Sequence, residues 1–204
     1  MKKLRLCLSI VLFMLMLGMV NAQTDEQGLR EGAKAPDFTL NNQNGIPINL
    51  YTLLEKGPVI LNWYRGGWCP YCNIALKAFA GIIPEINSEG ASFVAISPEL
   101  PDKSLNTIEK DTLSFMVLSD INNKVGHQYD IVFKLSTETA DKYEKGFGLS
   151  TYNGNTNNEL PIPATYIIDQ NGIIRYAYIN PDYRHRANPI EVLKKLKIIE
   201  KIMK

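Results

Sequence analysis

Neither sign of charge is in excess in this sequence: 22 lysines and arginines stand against 21 aspartates and glutamates, a formal net charge of +1. A nucleic acid or an anionic membrane surface finds no electrostatic footprint here, and neither is expected as a partner. Histidine is scarce as well. His127 and His185 do not fall at the spacing that would complete a four-ligand zinc site, so no metal and no other cofactor is expected. Cysteine occurs only three times, at Cys7, Cys69 and Cys72. Internal repeats and low-complexity segments are absent, which leaves no sign of a solenoid or a disordered array.

The one long apolar run lies at the start. Lys2, Lys3 and Arg5 precede an apolar stretch from Leu6 to Val20, followed by Asn21-Ala22, the pattern of a secretory signal peptide over residues 1–22. The run is shorter than the roughly 20 residues of a membrane-spanning helix, and no basic stop-transfer cluster follows. Cleavage near Ala22-Gln23 is expected, with Cys7 leaving with the peptide and no membrane insertion afterwards. The mature chain is then extracytoplasmic or periplasmic. Residues 23–34 read as a flexible segment and residues 35–204 as one domain, since about 180 residues suit one core better than two.

Along that domain, short β-rich runs alternate with helical patterns, the signature of an α/β fold with a central mixed sheet flanked by helices on both faces. An N-terminal hairpin opens it, with Phe38 to Leu40 and Ile46 to Ile48 joined through Asn44-Gly45. Pro58 to Tyr64 reads as a buried central strand ending at Gly66-Gly67. A helix is predicted from Pro70 to Pro84, with Ile74, Leu76, Ala78, Phe79, Ile82 and Ile83 as its apolar stripe. Then follow a strand at Phe93 to Ile96, a crossover helix at Ser104 to Leu113 and a third parallel strand at Phe115 to Leu118. In Ile121 to Glu159 only a helix over Thr137 to Phe147 is legible. A second hairpin, Thr165 to Ile168 and Ile173 to Ile179, precedes a terminal amphipathic helix from Pro189. Its core side is expected at Ile190, Leu193, Leu196, Ile199 and Met203, and its lysines on a solvated face.

The chemistry concentrates at Cys69-Pro70-Tyr71-Cys72. Two cysteines three apart at a helix start sit one turn from each other, close enough to bond with little backbone movement. A disulfide closing so short a loop contributes little stability, so a reactive pair explains the spacing better than a structural one. The helix N-terminus stabilises a thiolate at its first residue, making Cys69 the nucleophile and Cys72 the resolving thiol. Arg65 lies just before the nucleophile, where a guanidinium either helps to hold that thiolate and orient a peroxide oxygen or a carboxylate, or forms a surface salt bridge at the strand end. Gly67, Trp68 and Tyr71 flank the motif as substrate-pocket candidates. Pro163, in Leu160-Pro161-Ile162-Pro163-Ala164-Thr165, starts a strand and is expected in the cis form facing the site.

With these motifs placed, the chain resembles the thioredoxin superfamily over nearly all of its mature length. Ala35-Pro36-Asp37-Phe38-Thr39-Leu40, the run Asn62 to Cys72 and Thr165-Tyr166-Ile167-Ile168-Asp169 resemble more narrowly the peroxiredoxin-like branch of the alkyl hydroperoxide reductase and thiol-specific antioxidant (AhpC/TSA) family. That resemblance implies a thioredoxin-like fold, a peroxidatic Cys69, a resolving Cys72 and an active-site cis-proline at Pro163. Typical members place a proline seven residues and a threonine three residues before the peroxidatic cysteine, and here those positions hold Asn62 and Gly66. The usual arginine before the Thr165 strand is replaced by Pro163 and Ala164, leaving Arg65, Arg184 and Arg186 as substitutes.

Two functions fit the residues. One is a thioredoxin-dependent antioxidant peroxidase in which Cys69 reduces a peroxide and Cys72 closes an intramolecular disulfide. The other is a thiol-disulfide oxidoreductase acting on protein disulfides through the same pair. Either needs an external dithiol reductant, a thioredoxin-like protein or a membrane thiol reductase.

Overall fold

In a computed structural model of the chain, residues 27–203 are described. The expected signal peptide, its cleavage site and Cys7 lie outside the described residues. Ahead of the first strand the backbone is already tied down: the Gly32 N–H donates to the Ile174 carbonyl at 2.8 Å and the Ala35 N–H to the Gly172 carbonyl at 2.8 Å. The packed domain therefore begins several residues before Ala35, and the stretch expected to be flexible is anchored over its last part.

Among the described residues, nine strands form two sheets. Strands β1 (Thr39–Asn42) and β2 (Pro47–Asn49) make the predicted hairpin, and β3 (Val59–Trp63), β4 (Ser92–Ser97) and β5 (Met116–Ser119) run parallel to one another. Strands β8 (Ala164–Ile168) and β9 (Ile174–Ile179) form the second hairpin, with β8 antiparallel to β3. The main sheet is ordered β2-β1-β5-β4-β3-β8-β9, and β6 (Val132–Lys134) and β7 (Glu159–Pro161) pair separately. The thioredoxin-like mixed sheet with an N-terminal hairpin is thus present, the hairpin forming one edge through its pairing with β5.

Strand β3 is buried over its whole length because both faces of the sheet are covered. Its residues alternate between two cores: Ile60 joins Leu76, Phe79, Phe93 and Leu196 on one face, while Val59, Leu61 and Trp63 join Val94, Tyr129 and Tyr166 on the other.

Helices α1 (Leu50–Leu54), α2 (Pro70–Ala80), α3 (Ile83–Ser88) and α4 (Pro101–Asp111) follow the early strands. The helix predicted from Pro70 breaks at Gly81, and Pro84 lies in the first turn of α3, where its missing N–H costs no hydrogen bond. The crossover helix starts at Pro101 rather than Ser104, because Leu100 is extended and Pro101 fits a first helical position. The buried stripe of α2 is Cys72, Leu76 and Phe79, while Ile74 is 68% exposed. Positions 72, 76 and 79 share a face, and a residue two along from Cys72 points away from it.

Segment 121–159, mostly illegible in the sequence, holds α5 (Lys124–Gln128), α6 (Thr137–Phe147) and α7 (Leu149–Asn153) besides β6 and β7. On the last helix, α8 (Pro189–Met203), the buried residues are Val192, Leu196 and Ile199, with Leu193 half-buried and Ile190 exposed. The core side is rotated from the expected one because Val192, not Ile190, lies one turn before Leu196. Among the described residues no helix is long and apolar enough to cross a membrane.

The expectation of a cis Pro163 is not met, since no cis peptide bond occurs among the described residues. The chain passes from β7 to β8 without a tight turn. Ile162 donates its N–H to the Ile131 carbonyl at 2.6 Å, and the Pro163 carbonyl accepts from the Asn180 N–H at 3.3 Å, continuing the ladder with β9. An extended passage of this kind favours the ordinary trans bond.

Candidate active site

The C-terminal end of β3 and the start of α2 build the site. Cys69 is the N-cap of α2, with extended backbone at φ −92° and ψ 113°, and Pro70 occupies the first helical position. Both cysteines are free thiols, and Cys69 is 2% exposed while Cys72 is fully buried. The two sulfurs are not equivalent. The Cys72 thiol and then its backbone N–H, with the charges of Arg65 and Arg186 from further off, lower the Cys69 pKa to about 6 against the opposing effect of burial. Burial, reinforced by the neighbouring Cys69, pushes the Cys72 thiol well above its ordinary value. The surroundings thus favour the thiolate at Cys69 and the thiol at Cys72.

Arg65 is 2% exposed, and its guanidinium is held by aromatic rings rather than by a carboxylate. Nη2 donates to the Tyr143 hydroxyl at 2.6 Å, and the guanidinium carbon lies 4.2 Å from the Tyr183 ring centroid, 5.0 Å from Trp68 and 5.4 Å from Tyr143. Such stacking suits the planar, weakly hydrated guanidinium and leaves its positive charge uncancelled near the thiolate. Of the other two arginines expected as substitutes, Arg186 reaches the pair, its Nη2 lying 3.4 Å from Cys72 Sγ. Arg184 does not: its guanidinium is turned to Asp182 at 2.7 Å.

Trp68 stacks on Phe147, with ring centroids 4.5 Å apart and planes 18° apart, and leans on Tyr143 at 5.3 Å. Tyr143 and Phe147 sit four apart on α6, so the formerly unplaced segment supplies one wall of the site. Tyr71 is 44% exposed and meets Tyr183 edge-on at 5.8 Å, forming an outer rim. Gly67 is half-buried and lines a cavity with Lys103, Thr107 and Tyr152. Its carbonyl accepts from Asn73 Nδ2 at 2.9 Å, its N–H donates to Glu99, and a Cβ there would collide with Thr107.

Gly66 explains the absent threonine. Its φ is +149°, and a Cβ would overlap the Trp68 indole nitrogen and come within 3.0 Å of Glu99 Oε1. Asn62, in place of the usual proline, accepts from Thr165 Oγ1 at 2.9 Å across the β3–β8 pair. Pro163 stands at the head of β8 in the trans form.

Sequence reasoning missed four residues. Tyr143 and Phe147 carried a signal in their i, i+4 spacing on a predicted helix, and Tyr183 carried none. Glu99 follows β4 in Ser97-Pro98-Glu99, at the carboxyl end of a parallel strand where sites of open α/β sheets lie. It is fully buried and accepts from the Gly67 N–H at 2.9 Å and the Tyr64 hydroxyl at 3.3 Å, with Ser97 Oγ 3.4 Å away.

Comparison with known proteins places these features in context. A family model described as the AhpC/TSA family matches residues 32–177. The chloroplastic peroxiredoxin Q of Arabidopsis thaliana is 30% identical over 169 residues, covering 83% of this chain and 68% of that protein. A putative peroxiredoxin bcp of Helicobacter pylori is 26% identical over 162 residues, 79% of this chain and 95% of that one. Among solved structures, peroxidoxin BcpB from Mycobacterium tuberculosis superposes with a TM-score of 0.68 at 23% identity, covering 84% and 98% of the two chains. Tyr183 and Arg186 lie beyond the segment that the family model matches.

Proposed function

We propose, starting from the fact that this chain belongs to the AhpC/TSA family, that it is a thiol peroxidase whose nucleophile is Cys69 and whose resolving thiol is Cys72. The observation that carries the assignment of roles is the asymmetry of the two sulfurs. Cys69 is a helix-cap thiol with its pKa lowered to about 6, chiefly by Cys72 and more weakly by the charges of Arg65 and Arg186, and Cys72 is a buried neighbour one turn on whose thiol is pushed well above its ordinary value.

In the first step the Cys69 thiolate attacks one oxygen of a hydroperoxide. The O–O bond breaks, the sulfur becomes a sulfenic acid, and the alkoxide or hydroxide leaves and takes a proton. The positive charges of Arg65 and Arg186 favour the charge that develops on the departing oxygen. In the second step Cys72 attacks the sulfenic sulfur, the S–S bond forms and water leaves. An external dithiol of the thioredoxin type then reduces the disulfide, returning both thiols. The near-complete burial of Cys69 favours a small hydroperoxide over a protein disulfide, which has to bring its own sulfur into contact. The basic and apolar residues before position 23 support export, so that the peroxides and the reductant are those met outside the cytoplasm.

The test is hydrogen peroxide consumption by the reduced protein coupled to thioredoxin turnover, with insulin-disulfide reduction run alongside. Wild type removes peroxide far faster than a free thiol, and Cys69→Ser abolishes the reaction. Reduction of insulin with no reaction toward peroxide would show a disulfide oxidoreductase instead.

A further inference from the structure

The outer face of α2 lacks what a solvated helix face carries. A surface helix turns charged and polar residues to water, as α4, α6 and α8 do with their lysines and carboxylates. By contrast, α2 holds Lys77 as its one charged residue and has no carboxylate. Tyr71 and Ile74 are exposed, and so is Ala78. Residues at such spacings of three and four share one side of a helix, so the three form an apolar stripe. Tyr183, also exposed, widens the stripe through its edge-on contact with Tyr71 at 5.8 Å. Single exposed apolar side chains are ordinary, whereas a contiguous set beside a reactive pair marks a contact surface.

This face adjoins the sulfurs. Tyr71 stands between the two cysteines in the chain, and the loop between β9 and α8 borders both features, with Arg186 Nη2 3.4 Å from Cys72 Sγ and Tyr183 against Tyr71. Once the pair is a disulfide, turnover needs a dithiol whose sulfur touches one of the two. With Cys69 2% and Cys72 0% exposed, a protein has to shift what covers them, and binding energy is spent in doing so. Apolar area bordering the same loop supplies that energy. We propose that Tyr71, Ile74, Ala78 and Tyr183 form the docking surface for the protein dithiol that reduces the Cys69–Cys72 disulfide, a thioredoxin-type partner whose apolar contact surface is edged by carboxylates. The inference rests on the reading of the pair as nucleophile and resolving thiol.

Charge selects the edge of that partner. Lys77 is paired with Asp111 and Arg184 with Asp182, whereas among the described residues Arg65 and Arg186 have no carboxylate partner. Oxidation removes the Cys69 thiolate that opposes these two guanidiniums. A partner bearing carboxylates is therefore drawn more to the oxidised protein than to the reduced product. In the transfer, the partner's first thiol enters as a thiolate and attacks Cys69 Sγ, the sulfur of the two that keeps any exposure. The S–S bond breaks and its electron pair goes to Cys72 Sγ, beside Arg186. The partner's second thiol then attacks the partner sulfur of the mixed disulfide, and Cys69 leaves as a thiolate. The proton lost by that second thiol ends on Cys72, so the partner is oxidised to its disulfide and the pair is reduced.

The experiment is stopped-flow fluorescence of the oxidised protein, its disulfide formed beforehand with diamide, mixed with reduced thioredoxin and separately with dithiothreitol. Thioredoxin reduces the wild-type disulfide, and the rate falls as salt is raised. Ile74→Asp lowers the second-order rate constant with thioredoxin at least about tenfold. The same variant leaves reduction by dithiothreitol and the reaction of reduced protein with hydrogen peroxide unchanged. Ile198→Asp puts the same charge at an exposed isoleucine on α8 and alters none of these rates. The inference is overturned if thioredoxin fails to reduce wild type, if Ile74→Asp leaves its rate unchanged, or if that rate is insensitive to salt. An equal fall with dithiothreitol, or an equal fall in Ile198→Asp, overturns it as well. So does a concentration-dependent dimer in sedimentation that Ile74→Asp dissolves, since a second copy then covers the face. A wild-type protein that thioredoxin reduces but that ignores peroxide instead overturns the peroxidase reading, so the two failures are distinguishable.

Discussion

Gly66→Ala separates backbone strain from crowding at the position where typical peroxiredoxins carry threonine. Two costs add. The backbone sits at φ +149°, a conformation open to glycine and expensive for any residue with a Cβ, at about 1–3 kcal/mol. The new methyl would also meet the Trp68 indole, with Cδ1 only 2.7 Å away, and Glu99 Oε1 at 3.0 Å. Displacing a tryptophan already stacked on Phe147 at 4.5 Å costs about another 1–3 kcal/mol. The expected loss is therefore about 2–6 kcal/mol, to be set against a total stability of roughly 5–15 kcal/mol. Urea unfolding followed by tryptophan fluorescence measures it. Gly45→Ala is the control, since Gly45 also has positive φ, at +74°, but a Cβ there meets nothing within 4 Å. That control loses only about 1 kcal/mol. A Gly66→Ala loss no larger than that of the control would refute the claim that Trp68 and Glu99 exclude a side chain. A threonine adds a branched Cβ to the same contacts and is expected to cost more than alanine.

Two further outcomes follow from the electrostatics. Alkylation of reduced protein by iodoacetamide should accelerate as pH rises through about 6 and level off above it, modifying Cys69 while buried Cys72 stays intact; a midpoint near the ordinary thiol value would remove the basis for Cys69 as the nucleophile. Arg186→Met removes the guanidinium 3.4 Å from Cys72 Sγ. Loss of about 1.5 kcal/mol, the lower end for a hydrogen bond to a charged group, slows disulfide closure roughly tenfold in a rapid-quench assay, and an unchanged rate would show that the contact does not assist resolution.

The sequence by itself determined the frame and the place of the cysteine pair at a helix start. Strand β3 shows as an apolar run, both hairpins are marked by Asn-Gly pairs, and Pro70 fixes the helix start that makes Cys69 a cap. These signals are local: a strand buried on both faces needs no partner to be recognised, and a proline fits only a few backbone positions. Local signals also erred where tertiary context overrides them. Pro163 precedes a strand as a cis proline would, but the ladder with β9 holds it extended and trans. Ile74 and Ile190 are as apolar as their neighbours, yet each faces solvent because a helix buries the side its partners cover.

What only the tertiary structure decided is the surroundings of the sulfurs. Arg65 and Tyr143 are 78 residues apart, Gly67 and Glu99 are 32 apart, and Cys72 and Arg186 are 114 apart. No spacing in the chain announces such contacts. They exist because β3, β4, α6 and the loop before α8 meet at one end of the sheet. Their consequence, a Cys69 thiol shifted toward ionisation beside a Cys72 thiol shifted away from it, depends on burial and on charges brought together across that distance, which a one-dimensional pattern does not contain.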